Sequence, residues 1–389
     1  MSFRFFSRLI LAVLSVSLCL LSIAAEPLRA APLPSGCGSP RLSAMIGQMI
    51  MVGFPGEDEK DRGVIAVRDQ LAKGLIGGVV LFPENVRSPR ELKNLIAYLR
   101  NAHSNPRPFF AVDQEGGKVQ RLNSWNGFTR YPSAQSVGRN PSYAVPGAAR
   151  RLYDKMAAEL AEAGFNMNFG PVVDLNLNPS NPVIGARGRS FGADPAAVTA
   201  LAGAFIEAHR AANVVPVAKH FPGHGSSHAD SHRTLADVSA TWREVELEPY
   251  RRLAAAGKLD AVMIGHLYHP RFSDIEGMPT SLSAKAVRAL RNENWIDFHG
   301  VVISDDMEMG AVRDYTREEL AVKAINAGTD ILVFSNVEAS DPEVGVRLHA
   351  AIAKAVCDGR ISRNRINQAY GKIMLLKRRL QQKDLSGKW

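Results

Sequence analysis

The chain has 389 residues, 46% hydrophobic and 22% charged, with 47 Lys and Arg against 38 Asp and Glu and a formal net charge of +9. That composition excludes a disordered or fibrous chain and is enough to bury a large core. No basic run interleaved with aromatics is present, so the positive surplus reads as a solvated surface suited to an anionic polymer, with no nucleic-acid partner.

At the start, Arg4 and Arg8 precede the apolar run "LILAVLSVSLCLLSIAA", after which small residues follow. This is the pattern of a secretory signal peptide, expected to occupy residues 1–31 with Ala25 or Ala31 as the last residue removed. The run is 17 residues long, near the lower limit for spanning a bilayer, so an uncleaved anchor is the alternative. Cys19 follows Val16-Ser17-Leu18, without the small residues expected before a lipidated cysteine. Cleavage would leave a basic mature chain, residues 32–389, in a periplasmic or extracellular compartment and with no stable membrane insertion. Cys37 and Cys357 would be its two cysteines, and an oxidising compartment would allow them to pair.

From residue 40 onward, eight short apolar runs recur: "QMIMVGF" (48–54), "GGVVLF" (77–82), "FFAVD" (109–113), "NMNFGPVVDL" (166–175), "VVPVAKHF" (214–221), "AVMIGHL" (261–267), "GVVISDD" (300–306) and "DILVFS" (330–335). Continuous rather than alternating runs fit strands covered on both faces, as in a parallel sheet with helices outside. The intervening segments, among them "AARRLYDKMAAELAEAG", "WREVELEPYRRLAAAG" and "TREELAVKAINAG", carry amphipathic helical spacing, and several end in Gly or Asn. Eight alternating β and α units predict an α/β fold, a single (β/α)8 TIM barrel; an open doubly wound sheet is the structural alternative. The last segment, "RINQAYGKIMLLKRRLQQK", places Ile366, Tyr370, Ile373 and Leu380 on one face, which predicts a closing helix packed on the core rather than a membrane-binding one.

In such a barrel the chemistry lies at the C-terminal ends of the strands. Here the third run ends in Asp113 followed by "QEGG", the fourth in Asp174, the fifth in Lys219 and His220, the sixth in His266, and the seventh in Asp305 and Asp306. One charged strand end would be a solvated terminus. Five on a common rim describe a polar pocket.

The stretch "KHFPGHGSSHADSHRTL" (219–235) spaces His220, His224, His228 and His232 four residues apart. On a helix they would share a face and could bind zinc or copper. Pro222, Gly223 and Gly225 break any such helix, so the stretch is predicted to be a βα loop without a metal. Asp230 and His232 are more specific: a carboxylate two residues from an imidazole can accept its N–H and fix the tautomer, as a proton donor near neutral pH requires. A carboxylate held at a strand end, as Asp305 would be, can act as a nucleophile.

The strings "DQEGGKVQRL" (113–122), "FGPVVDLN" (169–176), "KHFPGHG" (219–225), "DSH" (230–232), "MIGH" (263–266) and "GVVISDDMEMGAV" (300–312) resemble glycoside hydrolase family 3, and within it the β-N-acetylhexosaminidase branch. The resemblance spans the predicted mature chain in order. It implies retaining hydrolysis of terminal β-linked N-acetylglucosamine on a TIM barrel without a cofactor, by a monomer acting on small carbohydrates. By similarity Asp305 would be the nucleophile, and His232, oriented by Asp230, the acid/base. Asp113, Lys219, His220 and Arg189 would bind the sugar.

Asp306 is expected to support Asp305 or cap the next helix, and Asp174 and His266 to support the site residues from behind or to form pocket walls. An ion pair is the structural alternative for Lys219. Where the family usually reads "IGxRSF" this chain reads "IGARGRSF", which makes Arg187 a competitor of Arg189. Ser226 stands where an Asp is common, and Ala236 where a Pro often follows. The chain is expected to lack the second domain of the β-glucosidases in this family, which with "DSH" favours the hexosaminidase activity. Peptidoglycan fragments or chito-oligosaccharides are the expected substrates. Two other readings are a metal-dependent barrel hydrolase using the four histidines and a wall-binding protein that has lost catalysis.

Overall fold

The computed structural model describes residues 39–103 and 105–385. The predicted signal segment 1–31, and Cys37 of the predicted Cys37–Cys357 pair, lie outside the described residues.

Each of the eight apolar runs contributes a strand: β1 (Ile50–Val52), β2 (Gly78–Val80), β3 (Phe109–Val112), β4 (Met167–Asn168), β5 (Val215–Phe221), β6 (Ala261–Ile264), β7 (Val301–Asp306) and β8 (Ile331–Phe334). Every neighbouring pair is parallel. β1 bonds to β2 on one side and to β8 on the other, with Ile50 opposite Leu332, so the sheet closes into a barrel and the open alternative is set aside. The two longest strands are β5 and β7. These are the strands whose ends carry Lys219, His220, Asp305 and Asp306.

The continuous apolar character has the expected cause. Val79, Phe110, Val217, Val262, Ile303 and Leu332 are all buried, and full burial of side chains this size contributes about 1.5–3 kcal/mol each. The run 166–175 yields only a two-residue strand, because Gly170 leads into Pro171, which has no N–H to offer a ladder; a single bridge from Val172 to Lys219 continues the contact.

Helices fill the connections. Ala148–Ala163 ends on Gly164, and Arg317–Ala327 starts with a Thr316/Glu319 capping box and ends on Gly328. The segment 242–257 begins as a 3-10 turn at Glu244–Leu247 and becomes α-helical at Glu248–Ala255, with Pro249 in the first turn where a missing N–H costs nothing. A helix at Val344–Cys357, not singled out in the sequence, completes the eighth unit. In the last helix, Arg363–Leu385, Ile366 and Ile373 are buried and Tyr370 and Leu380 pack against the same core, so this helix closes the barrel as expected. No helix among the described residues is long and apolar enough to cross a membrane.

Candidate active site

The C-terminal ends of the strands enclose a cavity of about 420 Å³ lined by Asp113, Arg189, Lys219, His220, Asp230, His232 and Asp305, with Arg187 and Asp306 also on its wall. All seven residues predicted to act or to bind sugar therefore meet in one place.

One side of the cavity is an ion-pair lattice. Lys219 Nζ donates to Asp113 Oδ1 at 2.6 Å and reaches Glu115 Oε1 at 2.8 Å. Arg189 grips Glu115 with Nε and Nη2, at 2.9 and 2.7 Å, and lies 3.3 Å from His220 Nε2. Burial disfavours the Asp113 and Glu115 anions, but the Lys219 and Arg189 cations outweigh it, with Arg121 adding to the effect on Asp113, and both carboxyls sit below their usual range. The ion-pair reading of Lys219 thus holds together with its place on the cavity wall.

Glu115 carries little functional signal in the sequence, since its partners lie far along the chain and the following Gly116-Gly117 resembles an ordinary turn. The "EGG" string after a strand was the available signal. The two arginines of "IGARGRSF" lie differently on the cavity: Arg189 is buried in the lattice, whereas Arg187 is exposed at the mouth with Nε bonded to the Pro182 carbonyl.

At the end of β7, Asp305 accepts a hydrogen bond from the Asp306 N–H at 2.9 Å. Enclosure opposes its ionisation, but the His220 and His266 rings, that N–H and the Lys219 ammonium favour it, and its pKa falls below the ordinary aspartate value. Asp306 behaves oppositely. Its carboxyl accepts from the Glu308 and Ser335 N–H groups, and enclosure with Glu308 nearby pushes it up to about 7. It caps the turn after β7 and ties it to the end of β8. His266 is buried between Ser281 Oγ and the Asp306 carbonyl, behind the cavity lining rather than on it.

The four histidines separate into unlike environments. His220 Nδ1 lies 2.7 Å from Asp174 Oδ2, and Asp174 also accepts the N–H groups of His220 and His224. Asp174 thus holds the root of the loop. His224 is buried with Nε2 3.0 Å from Ser231 Oγ, and burial lowers its pKa to about 4. His228 and His232 are exposed. Among the described residues no group of three or more His, Cys, Asp or Glu is placed to hold a metal ion.

His232 Nδ1 lies 2.8 Å from Asp230 Oδ1, which also accepts the His232 backbone N–H at 3.0 Å. With Nδ1 so engaged, Nε2 is the ring atom available to a ligand. Burial opposes the Asp230 anion, but its hydrogen bonds to His232 outweigh that and lower its pKa. Ser226, at the position where Asp is common, donates to the buried Glu246 at 2.7 Å, and Gly225 N–H donates to the other oxygen at 2.9 Å. A hydroxyl there supplies a donor where a second carboxylate would repel.

A sequence model described as the glycosyl hydrolase family 3 N terminal domain matches residues 41–376. The chain belongs to glycoside hydrolase family 3. A β-hexosaminidase of Nitrosomonas eutropha is 38% identical over 278 residues, covering 69% of this chain and 76% of that protein. β-Hexosaminidase A of Pseudoalteromonas piscicida is 30% identical over 88% of this chain, which spans 62% of its length. Among solved structures, a family 3 β-N-acetylglucosaminidase from Paenibacillus sp. FPU-7 superposes with a TM-score of 0.78 at 33% identity, covering 87% of this chain and 62% of that one. This family 3 chain is thus a glycoside hydrolase on a single TIM barrel.

Proposed function

We propose that this glycoside hydrolase removes terminal β-linked N-acetylglucosamine with retention of configuration. The observation that carries the reading is the meeting, on one cavity, of an ionised Asp305 and the hydrogen-bonded Asp230–His232 pair. The named activities of the relatives supply the sugar: β-hexosaminidases and a β-N-acetylglucosaminidase.

In the first step an Asp305 oxygen attacks the anomeric carbon as its bond to the leaving oxygen breaks, and His232 Nε2 gives that oxygen a proton. In the second, water attacks the same carbon, its proton passes to His232 Nε2, and Asp305 departs as a carboxylate. A histidine does this without placing a second anion beside the nucleophile. Most retaining enzymes use two carboxylates about 5 Å apart; here an imidazole takes one place. Asp113, Lys219, His220 and Arg189 would fix the sugar hydroxyls from the lattice side. We also propose that the enzyme is exported, acts as a monomer, and meets peptidoglycan fragments or chito-oligosaccharides.

The test is release of nitrophenol from the β-N-acetylglucosaminide beside the β-glucoside, with wild type and Asp305→Ala, with and without EDTA. Activity confined to the acetamido sugar, indifferent to chelation and lost in the variant, is expected. Turnover abolished by EDTA or retained in Asp305→Ala would overturn the mechanism.

A further inference from the structure

Asp305 lies at the end of a rigid strand, whereas His232 is exposed on a loop with ten residues between it and the end of β5. Proton transfer within one sugar's reach requires these two to keep a fixed relation. The backbone supplies one. Gly310 N–H donates to the His232 carbonyl at 2.9 Å, and Ala311 N–H donates to the Ser231 carbonyl at 3.2 Å. Two consecutive amides that follow the nucleophile strand thus clasp two consecutive carbonyls of the acid/base loop.

Both sides of the clasp are anchored. On the nucleophile side, Met307 N–H donates to Val333 O at 2.9 Å and Met309 N–H to Asp306 O at 3.1 Å, while Asp306 caps Glu308. Asp305 and Gly310 are therefore ends of one short, pinned segment. On the loop side Ser231 is buried and its hydroxyl meets His224 Nε2, and the Asp230 carbonyl accepts from Arg233 and Thr234 N–H in a tight turn.

Close approach is what requires glycine at 310. A Cβ there would lie 2.5 Å from the Arg233 carbonyl oxygen and 2.7 Å from that of His232, both backbone atoms that cannot swing aside. Gly310 does not have a positive φ, so an alanine would be tolerated by its own backbone and would act only by pushing the loop away.

We infer that Gly310 is a positioning residue, whose amide, with that of Ala311, sets His232 at its working distance from Asp305. This rests on the proposed roles of those two residues. The contribution is to proton delivery, so it should depend on how much the leaving group needs a proton.

The experiment compares kcat/KM, which reports the first step, for a dinitrophenyl β-N-acetylglucosaminide and for N,N'-diacetylchitobiose in wild type, Gly310→Ala and His232→Ala. The dinitrophenolate departs unprotonated, whereas the sugar alcohol needs the acid. Gly310→Ala is expected to lower kcat/KM on the disaccharide about tenfold or more, part of the ~10²–10⁴-fold that general acid–base catalysis supplies, and to change the dinitrophenyl value far less. Equal losses on both substrates, or no loss, in Gly310→Ala while His232→Ala discriminates would overturn the clasp's role alone. A His232→Ala that fails to discriminate would overturn the acid/base reading and the clasp's role together. Hydrogen exchange on the wild type gives a measure independent of variant folding: slow exchange of the Gly310 and Ala311 amides supports the clasp, and open-loop rates overturn it.

Discussion

Two aspartates near opposite ends of neighbouring strands have opposite surroundings. Asp330, one residue before β8, is wholly buried; its oxygens accept from Arg365 at 2.6 Å, Arg291 at 3.2 Å and the Val302 N–H at 3.0 Å, with Lys372 at 3.5 Å. Asp260, one residue before β6, is likewise held by Arg210 and Arg379. Asp305, at the far end of β7, receives one hydrogen bond among the described residues, from Asp306 N–H, and its remaining lone pairs face a cavity. A carboxylate saturated by cations holds helices to the barrel. One that is charged but unsaturated is available for a reaction. The difference between the ends of the barrel lies in how many donors surround the acid, not in residue type.

The sharpest way to break that comparison is to remove each acid. Asp305→Ala should lower turnover of an N-acetylglucosaminide by several orders of magnitude with a thermal midpoint close to wild type, because few donors are left unpaired. Asp330→Ala should reverse the pattern, leaving cations buried without a partner and costing about 3–5 kcal/mol of stability, while the fraction that folds retains turnover. Activity assays beside denaturant titration check both. A large stability loss in Asp305→Ala would show its lone pairs to be structural after all.

His232→Ala is the next in size. Loss of the acid should reduce kcat/KM for a disaccharide by about 10²–10⁴, and azide, which attacks the glycosyl-enzyme without needing a base, should restore turnover of an activated aryl substrate. Asp230→Asn should give a smaller loss of the same kind, since it leaves the ring in place and changes only its partner. Equal turnover in Asp230→Asn and wild type would mean that the 2.8 Å contact orients nothing.

How far the sequence reached follows from the same comparison. The eight strands were legible because both of their faces are buried, which makes the runs continuous. The polar rim was legible because a charge at the end of an apolar run has few explanations. Glu115 escaped, since its meaning lies in Arg189 and Lys219, which only barrel closure brings to it. The saturated acids Asp260 and Asp330 escaped for the opposite reason: each stands at the start of an apolar run, where a solvated terminus is the ordinary reading, and their cations come from helices distant in the chain. The clasp at Gly310 was invisible because backbone N–H groups carry no residue signature.

A smaller effect tests the root of the acid/base loop. Burial, with Asp174 nearby, raises the Glu246 pKa from an ordinary 4.5 to about 7. Between those values the folded chain holds a proton that the unfolded chain has released, so this group's contribution to stability is present at low pH and is lost as pH rises toward and through 7. His224, lowered to about 4, slopes the other way below its ordinary value of 6.5, so the total curve conceals both. Glu246→Gln separates them. The amide oxygen can accept from Gly225 N–H as Glu246 does, the amide nitrogen can donate to Ser226 Oγ once that hydroxyl turns away, and the amide does not titrate. The stability of Glu246→Gln relative to wild type should therefore rise from pH 4.5 to pH 8 by on the order of 3 kcal/mol, read from denaturant midpoints at each pH. A difference that does not change with pH would mean that Glu246 is ionised throughout that range, and the hydroxyl at Ser226 would then be answering a buried anion rather than a proton shared across the loop's root.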